Sequence, residues 1–207
     1  MVRIGQYLSL NPRQKQLGFL PYNERLLESS ASFPLVPTIH MPYERLLYEA
    51  KYCSPRKLAS RVTELPRPLV FTNGCFDILH RGHVIYLSRA RAMGASLVVA
   101  LNTDESVRKL GKGADRPLNP LEDRIAMIAA LESVDLVTWF ADETPLARII
   151  AARPDVLTKG GDWAAETIVG AIEVRAWGGS VHSIPFEVER STTTLVERIR
   201  NAHACQG

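Results

Sequence analysis

The sequence predicts an α/β protein: a doubly wound, parallel five-stranded sheet with helices on both faces. Three observations carry this reading. From Pro66 onward, short apolar runs alternate with helical stretches. One run, Leu97-Val98-Val99-Ala100-Leu101, is apolar at every position, as a strand buried on both faces must be. Polar clusters, two of them Gly-containing, follow four of the apolar runs, where the carboxyl ends of parallel strands would lie.

The elements follow in order. Ser54-Pro55 reads as a helix start and marks residues 41–65 as a helical lead-in. Leu69-Val70-Phe71 is a strand closed by the polar turn Thr72-Asn73-Gly74. A helix then runs from Gly82 through Val84, Leu87 and Ala90 to Gly94, read as its stop. After the Leu97–Leu101 strand, Asn119-Pro120-Leu121-Glu122 offers a capping Asn and a first-turn Pro ahead of Ile125, Met127, Ile128 and Leu131. Val134–Phe140 is the next strand, and Thr144-Pro145 opens a helix through Leu146, Ile149 and Ile150 that ends before Pro154. Asp155-Val156-Leu157 is a strand, Glu166 to Trp177 a helix stopped by Gly178-Gly179, and Val181–Ile184 the last strand. Ser191-Thr192-Thr193 opens a final helix through Leu195, Val196 and Ile199. This order is Rossmann-like and occupies residues 66–207.

Composition bounds the function. A chain of 207 residues, 46% hydrophobic and 23% charged, suits one globular domain of roughly 100–200 residues with little left over. A net charge of +3 is too small to advertise a nucleic-acid binder. No apolar stretch, Ala95–Leu101 included, approaches the ~20 residues that span a bilayer. Cys53, Cys75 and Cys205 are scattered, with no CxxC pair, which argues against a disulfide framework or a structural zinc. The chain reads as cytoplasmic, with neither membrane nor nucleic acid as partner. Residues 1–40 stand apart, with four prolines, no sustained period and a charge of +2 from four basic and two acidic residues. They read as a poorly ordered extension, or as sequence upstream of a true start at Met41; a docking arm is the alternative.

The polar clusters hold the candidate site. His80 and His83 are three apart and share a face if a helix begins there, while Gly82 lets a ligand approach the backbone. A helix N-terminus with free N–H groups and two imidazoles suits an anion such as phosphate; a pair of structurally bonded histidines is the alternative. Ser191-Thr192-Thr193 offers a second hydroxyl-rich helix start, for capping, for phosphate, or for both. Gly160-Gly161 permits close backbone approach, and Asp162 suits a sugar hydroxyl or a base, or else caps a turn. Lys109 and Lys112 flank a Gly-containing loop and either clamp phosphates or are solvated. Arg124 lies in the first turns of a helix, where a cation opposes the dipole, so it either faces an anion or pairs with a neighbouring carboxylate.

Gly74-x-Phe76-Asp77-x-x-His80-x-Gly82-His83 resembles the signature motif of the nucleotidyltransferase superfamily related to cytidylyltransferases. Asn102-Thr103-Asp104-Glu105, the Arg124 helix, Lys159-Gly160-Gly161-Asp162-Trp163 and Arg190-Ser191-Thr192-Thr193 follow in the family's order, and the resemblance covers about residues 66–201. Within the superfamily, the stretches around His80–His83, Lys159–Asp162 and Glu189–Thr193 are most similar to the branch that joins ATP to D-glycero-D-manno-heptose 1-phosphate. The glycerol-phosphate cytidylyltransferases carry R-T-x-G-I-S-T-T, whereas Phe186-Glu187-Val188-Glu189-Arg190 precedes Ser191 here.

The resemblance implies roles residue by residue. His80, His83 and Lys109 are the expected catalytic groups. Thr72, Asn73, Gly74, Phe76, Gly82, Gly160, Gly161, Asp162, Arg190, Ser191, Thr192 and Thr193 are expected at the nucleotide. Asp77, Asn102, Asp104, Lys112 and Arg124 are expected at the sugar phosphate. It implies Mg²⁺ arriving with ATP and no protein metal ligand, a homo-oligomer, and a separate heptose-phosphate kinase upstream, because no kinase sequence is present. The implied product serves lipopolysaccharide or another surface glycan. A cytidylyltransferase for a polyol or amino-alcohol phosphate, and a non-catalytic nucleotide-binding protein, are the competing readings.

Overall fold

The computed structural model describes residues 47–111 and 116–186. Five strands, β1 (Leu69–Gly74), β2 (Ser96–Asn102), β3 (Leu136–Phe140), β4 (Val156–Gly160) and β5 (Ser180–Ile184), form one sheet in the order β3-β2-β1-β4-β5. Every pairing is parallel. Among the described residues, six α-helices precede or join them: α1 (Leu58–Arg61), α2 (Arg81–Arg91), α3 (Asp104–Lys109), α4 (Leu121–Ala129), α5 (Leu146–Ala152) and α6 (Ala171–Ala176). The chain winds outward from β1 to β3, then crosses back over β1 to lay down β4 and β5. That reversal is the doubly wound, Rossmann-like topology the sequence predicts.

Alternation along the strands divides the core between two faces. Leu69, Phe71, Val98, Ala100, Leu136 and Leu157 pack with Leu58, Ile149 and Val174, under α1, α5 and α6. Val70, Leu97, Val99, Leu101 and Val137 pack with Leu87, Ala90, Ile125 and Ile128, under α2 and α4. β2 is buried along its whole length, which accounts for its unbroken apolar run. The lead-in forms short 3₁₀ turns and α1, and it guards an edge. Tyr52 bridges Val137 in parallel, and the Cys53 N–H donates to the Val137 carbonyl at 2.9 Å, so β3 presents no bare ladder there.

Two aspartates fix the amino ends of the central strands. Asp155 accepts from the Leu69 N–H at 2.6 Å and from Arg67 at 2.7 Å. Asp135 repeats the arrangement on β2, accepting from the Leu97 N–H at 2.7 Å and from Arg91 Nε at 2.9 Å. The strands therefore start in register, and their carboxyl ends are free to carry chemistry.

Several local expectations change. The stretch 166–177 is not one helix: a 3₁₀ turn over Ala165–Thr167 precedes α6, and Gly170, at φ +89°, breaks the path between them. A Cβ there would also come 2.7 Å from Ile149 Cδ1, so the break lets α6 pack close to α5. Asn119 does not cap α4; Pro120 takes that position, and the Asn119 side chain donates to the Asp77 carbonyl instead. The turn after β2 continues into α3, with Thr103 as its cap, accepting from the Ser106 N–H at 3.3 Å. The final helix expected from Ser191 lies outside the described residues.

Gly94 is needed for space. α2 ends at Arg91, and a Cβ on Gly94 would meet the Pro68 carbonyl oxygen at 2.4 Å and Val70 Cγ2 at 2.6 Å. Backbone cannot yield as a flexible side chain would. Gly94→Ala is expected to destabilise the fold by about 1–3 kcal/mol, the usual cost of overpacking, as a lowered urea midpoint.

Candidate active site

The crossover from β3 to β4 creates a crevice. β1 and β4 pair only at Val70–Val156 and Phe71–Leu157, while β1 stays with β2 to Gly74 and β4 stays with β5 to Gly160. Past Phe71 and Leu157, each strand end therefore belongs to its own half of the sheet. Open α/β sheets bind ligands at this switch point, outside the carboxyl ends of the strands. Thr72, Asn73 and Gly74 end one wall, Lys159 and Gly160 the other, and the Lys159 ammonium reaches across to the Asn73 carbonyl at 3.5 Å.

The β1–α2 loop aims the histidines. Phe76 has φ +48°, a left-handed backbone that a bulky residue adopts at a cost of about 1–3 kcal/mol and that clusters at functional sites. Its ring lies over Gly74, where a Cβ would come 2.9 Å from Phe76 Cε2. The same ring meets His83 edge-on, with centroids 5.1 Å apart. Gly74, Phe76 and His83 thus form one packed stack, which explains the spacing of the glycine and the aromatic in the motif.

His80 is the N-cap of α2. Its Nδ1 accepts from the Gly82 N–H at 3.1 Å, so Nδ1 carries no proton and a neutral ring holds its hydrogen on Nε2. Its ring stacks on His83 at 3.9 Å and 22°. Burial chiefly, then the neighbouring His80, lowers the His83 pKa to about 4; the nearby Ile78 carbonyl opposes this without reversing it. His83 Nδ1 is buried and makes no well-formed hydrogen bond among the described residues. At neutral pH His83 is an uncharged imidazole at the start of a helix, short of one polar partner.

On the β4 side, Gly161 has φ +113°, and Cβ atoms on Gly160 and Gly161 would strike Phe186 at 2.6 Å and Trp163 Nε1 at 2.9 Å respectively. Trp163 Nε1 donates to the Gly160 carbonyl at 3.1 Å, and Ser183 Oγ donates to the Gly161 carbonyl. Asp162 is exposed and makes no hydrogen bond among the described residues. The structure therefore brings the His80–His83 turn and the Gly160–Asp162 turn to neighbouring strand ends, a proximity that the sequence order of the two motifs does not reveal.

The residues expected at the sugar phosphate are bonded otherwise. Arg124 is 0% exposed, and its guanidinium ties four segments together. Nη1 donates to the Cys75 and Asn102 carbonyls, each at 2.8 Å; Nη2 pairs with Asp104 at 2.6 Å; Nε donates to the Asn119 carbonyl at 3.0 Å. Of the alternatives the sequence left open, the carboxylate pairing is the one present. Asn102 is buried too, its amide donating to Ser106 Oγ at 2.9 Å and its Oδ1 accepting from Cys75 Sγ at 3.7 Å. The buried Asp77 carboxylate accepts from Arg116, from the Leu118 N–H at 2.8 Å and from the Asn119 N–H at 2.9 Å. Arg116, nearly forty positions away, was invisible as its partner because no periodicity links loop residues at that separation. Lys109 is exposed on α3, where its ammonium pairs with Glu105 at 2.8 Å. Lys112, Arg190, Ser191, Thr192 and Thr193 lie outside the described residues.

A strained loop and a paired imidazole stand at the switch point of the sheet, where open α/β proteins bind their ligands. The Cytidylyltransferase-like family model matches residues 71–205, and the chain belongs to that family. It is 56% identical over 155 residues to the D-beta-D-heptose 1-phosphate adenylyltransferase of Bordetella bronchiseptica, covering 74% of this chain and 96% of that protein. It is 53% identical over 132 residues to the bifunctional protein HldE of Hahella chejuensis, covering 64% of this chain and only 28% of that longer protein. Among solved structures, the lipopolysaccharide core biosynthesis protein of Thermoplasma volcanium is 28% identical with a TM-score of 0.48, over 59% of this chain and 98% of that one.

Two outcomes test this geometry. Arg124→Ala strands the Asp104 carboxylate and three backbone carbonyls, so it is expected to cost about 3–5 kcal/mol in guanidinium unfolding; unchanged stability would return Arg124 to the ligand. For His83, an NMR titration is expected to give a midpoint near 4, well below the 6.5 of an ordinary histidine. Because the unfolded chain binds that proton more readily, His83 makes the fold less stable as pH falls from about 6.5 toward 4.

Proposed function

We propose that this chain is an adenylyltransferase that transfers AMP from ATP to D-glycero-D-manno-heptose 1-phosphate, yielding ADP-heptose and pyrophosphate. The observation that carries the chemistry is the stacked His80–His83 pair at the start of α2, beside the crevice between β1 and β4. The acceptor rests on the relative 56% identical to this chain, a heptose 1-phosphate adenylyltransferase aligned over 96% of its length.

The chemistry asks little of a base. A sugar phosphate has a second pKa near 6 and arrives largely as the dianion, so its oxygen is already nucleophilic. That oxygen attacks the α-phosphorus of ATP in line, a new P–O bond forms, and the bond to the bridging oxygen of the β-phosphate breaks. What the protein supplies is position and charge stabilisation. His80 Nε2–H is the donor we assign to the triphosphate, and His83 supplies a second imidazole that costs no charge desolvation while the site is empty. The positive end of the α2 dipole adds to the field that attracts the anion. Thr72, Asn73, Gly74 and Phe76 line the β1 side, and Gly160, Gly161 and Asp162 take the nucleoside.

Ser191, Thr192 and Thr193, with Arg190, are proposed at the phosphates. Lys109 and Lys112 are proposed at the acceptor, with Lys109 exchanging Glu105 for phosphate, a small change between exposed partners. The described residues include no group of three or more His, Cys, Asp or Glu able to hold a metal. The Mg²⁺ we propose arrives with ATP, on its phosphate oxygens, and no step is assigned to it.

A kinase acting upstream is proposed to make the heptose 1-phosphate; the Hahella relative, aligned over 28% of its length, is itself a bifunctional protein. A homo-oligomer, a cytoplasmic location and a product destined for lipopolysaccharide or another surface glycan belong to the same reading. No helix among the described residues is long and apolar enough to cross a membrane.

The test is pyrophosphate release with Mg²⁺, crossing ATP, CTP, GTP and UTP against both heptose 1-phosphate anomers and glycerol 3-phosphate. Turnover is expected with ATP and one heptose anomer. Turnover with CTP and a polyol phosphate would replace the pathway, and tight ATP binding without turnover would favour a non-catalytic role. His83→Ala is expected to lower kcat about 10²–10³-fold while leaving the circular dichroism spectrum unchanged.

A further inference from the structure

Where the β1–β4 ladder stops, buried hydroxyls take over from the backbone. Thr72 on β1 hydrogen-bonds the Tyr86 hydroxyl on α2. The Tyr86 hydroxyl lies 3.4 Å from Thr158 Oγ1 on β4, which in turn donates to the Phe71 carbonyl at 3.4 Å. Thr72 and Thr158 are 0% exposed and Tyr86 is 4% exposed. One set of proton directions satisfies the chain: Thr72 donates to Tyr86, Tyr86 to Thr158, and Thr158 to Phe71. Burial raises the Tyr86 pKa, so the phenol keeps its proton and remains a donor.

Tyr86 also touches the parts that matter for nucleotide. It lies three residues beyond His83, one turn along the same helix face. Its Cε2 would stand 3.3 Å from a Cβ on Gly160, and its ring meets Phe186 edge-on at 5.8 Å. One side chain therefore joins the end of β1, the end of β4 and the helix that carries the histidine pair. A phenylalanine would fill the same volume, so core packing alone does not call for the hydroxyl. The phenol therefore sits between the ends of β1 and β4, bonded to a threonine hydroxyl on each.

We propose that Tyr86 is a positioning residue whose hydroxyl, held between Thr72 and Thr158, sets the width of the crevice that receives the nucleotide. The proposal rests on the reading that a nucleoside triphosphate occupies that crevice, and it adds a determinant of how tightly the triphosphate is held.

The experiment compares the full chain with Tyr86→Phe, Thr158→Val and the double variant. Kd for Mg²⁺-ATP is measured by calorimetry, KM and kcat by pyrophosphate release, and Tm alongside. Each single variant is expected to raise Kd and KM for ATP about tenfold, the equivalent of one buried hydrogen bond, with kcat changed less than about threefold. The double variant is expected to be no weaker than either single one, because all three remove the same bridge. An unchanged ATP Kd in Tyr86→Phe, whatever its Tm, overturns the proposal, and so does additivity in the double variant. If the unaltered chain binds ATP yet turns over no heptose 1-phosphate, the acceptor reading fails while the Kd comparison still decides the role of Tyr86. If it binds no nucleotide, both readings fall.

Discussion

β1 and β4 share a ladder only as far as Phe71 and Leu157, and most of what is distinctive about this molecule follows from that short pairing. Crossovers between parallel strands are right-handed, so reversing direction across β1 puts the helices of the two halves on opposite faces. Beyond the last pair, neither strand end has its neighbour's backbone to bond. Thr72 and Thr158 hydroxyls, the Tyr86 phenol and the Lys159 ammonium meet part of that demand. A nucleotide would meet more of it, which is why a switch point is a binding site as well as a gap in the sheet.

The loops beside the crevice are held by buried charge. Arg124 and Asp77 each take a charged group out of water, at a cost that only complete hydrogen bonding offsets. Arg124 gathers Cys75, Asn102, Asp104 and Asn119, and Asp77 gathers Arg116, Leu118 and Asn119. Asn119 belongs to both sets, so the β1–α2 loop, the end of β2 and the approach to α4 form one bonded unit. A loop carrying a left-handed Phe76 needs such anchoring, because otherwise its strain would relax and the stack of Gly74, Phe76 and His83 would be lost.

The histidine pair shows how packing sets electrostatics. Two imidazoles stacked at 3.9 Å, with His83 largely buried, cannot both hold a proton cheaply, and His83 is the one pushed to neutrality. An anion such as the proposed triphosphate would bring negative charge that favours protonation, so the pair suits an anion that comes and goes. His80 is different: its Nδ1 is committed to capping its own helix, so the proton of a neutral ring faces away on Nε2.

Strand order, most of the helices, the double winding and the motif that aims at the crevice were legible from the sequence, while α3 was not. Apolar periodicity and Gly-rich punctuation are local properties, and burial on both faces leaves a mark as plain as Leu97–Leu101. The same holds for His80, Gly82 and His83, whose spacing is meaningful within a single helical turn. The partners of Asp77 and Arg124, the true use of Asn119 and Gly94, and the break at Gly170 were not legible. Each depends on which segment packs against it from tens of residues away, and a bulky side chain or a backbone carbonyl at that distance leaves no trace in local pattern. The sequence by itself determined the kind of sheet and the residues that end its strands. Tertiary structure alone decided which charged side chains are used up by the protein's own hydrogen bonds, because burial and hydrogen-bond supply are fixed only when the chain is folded.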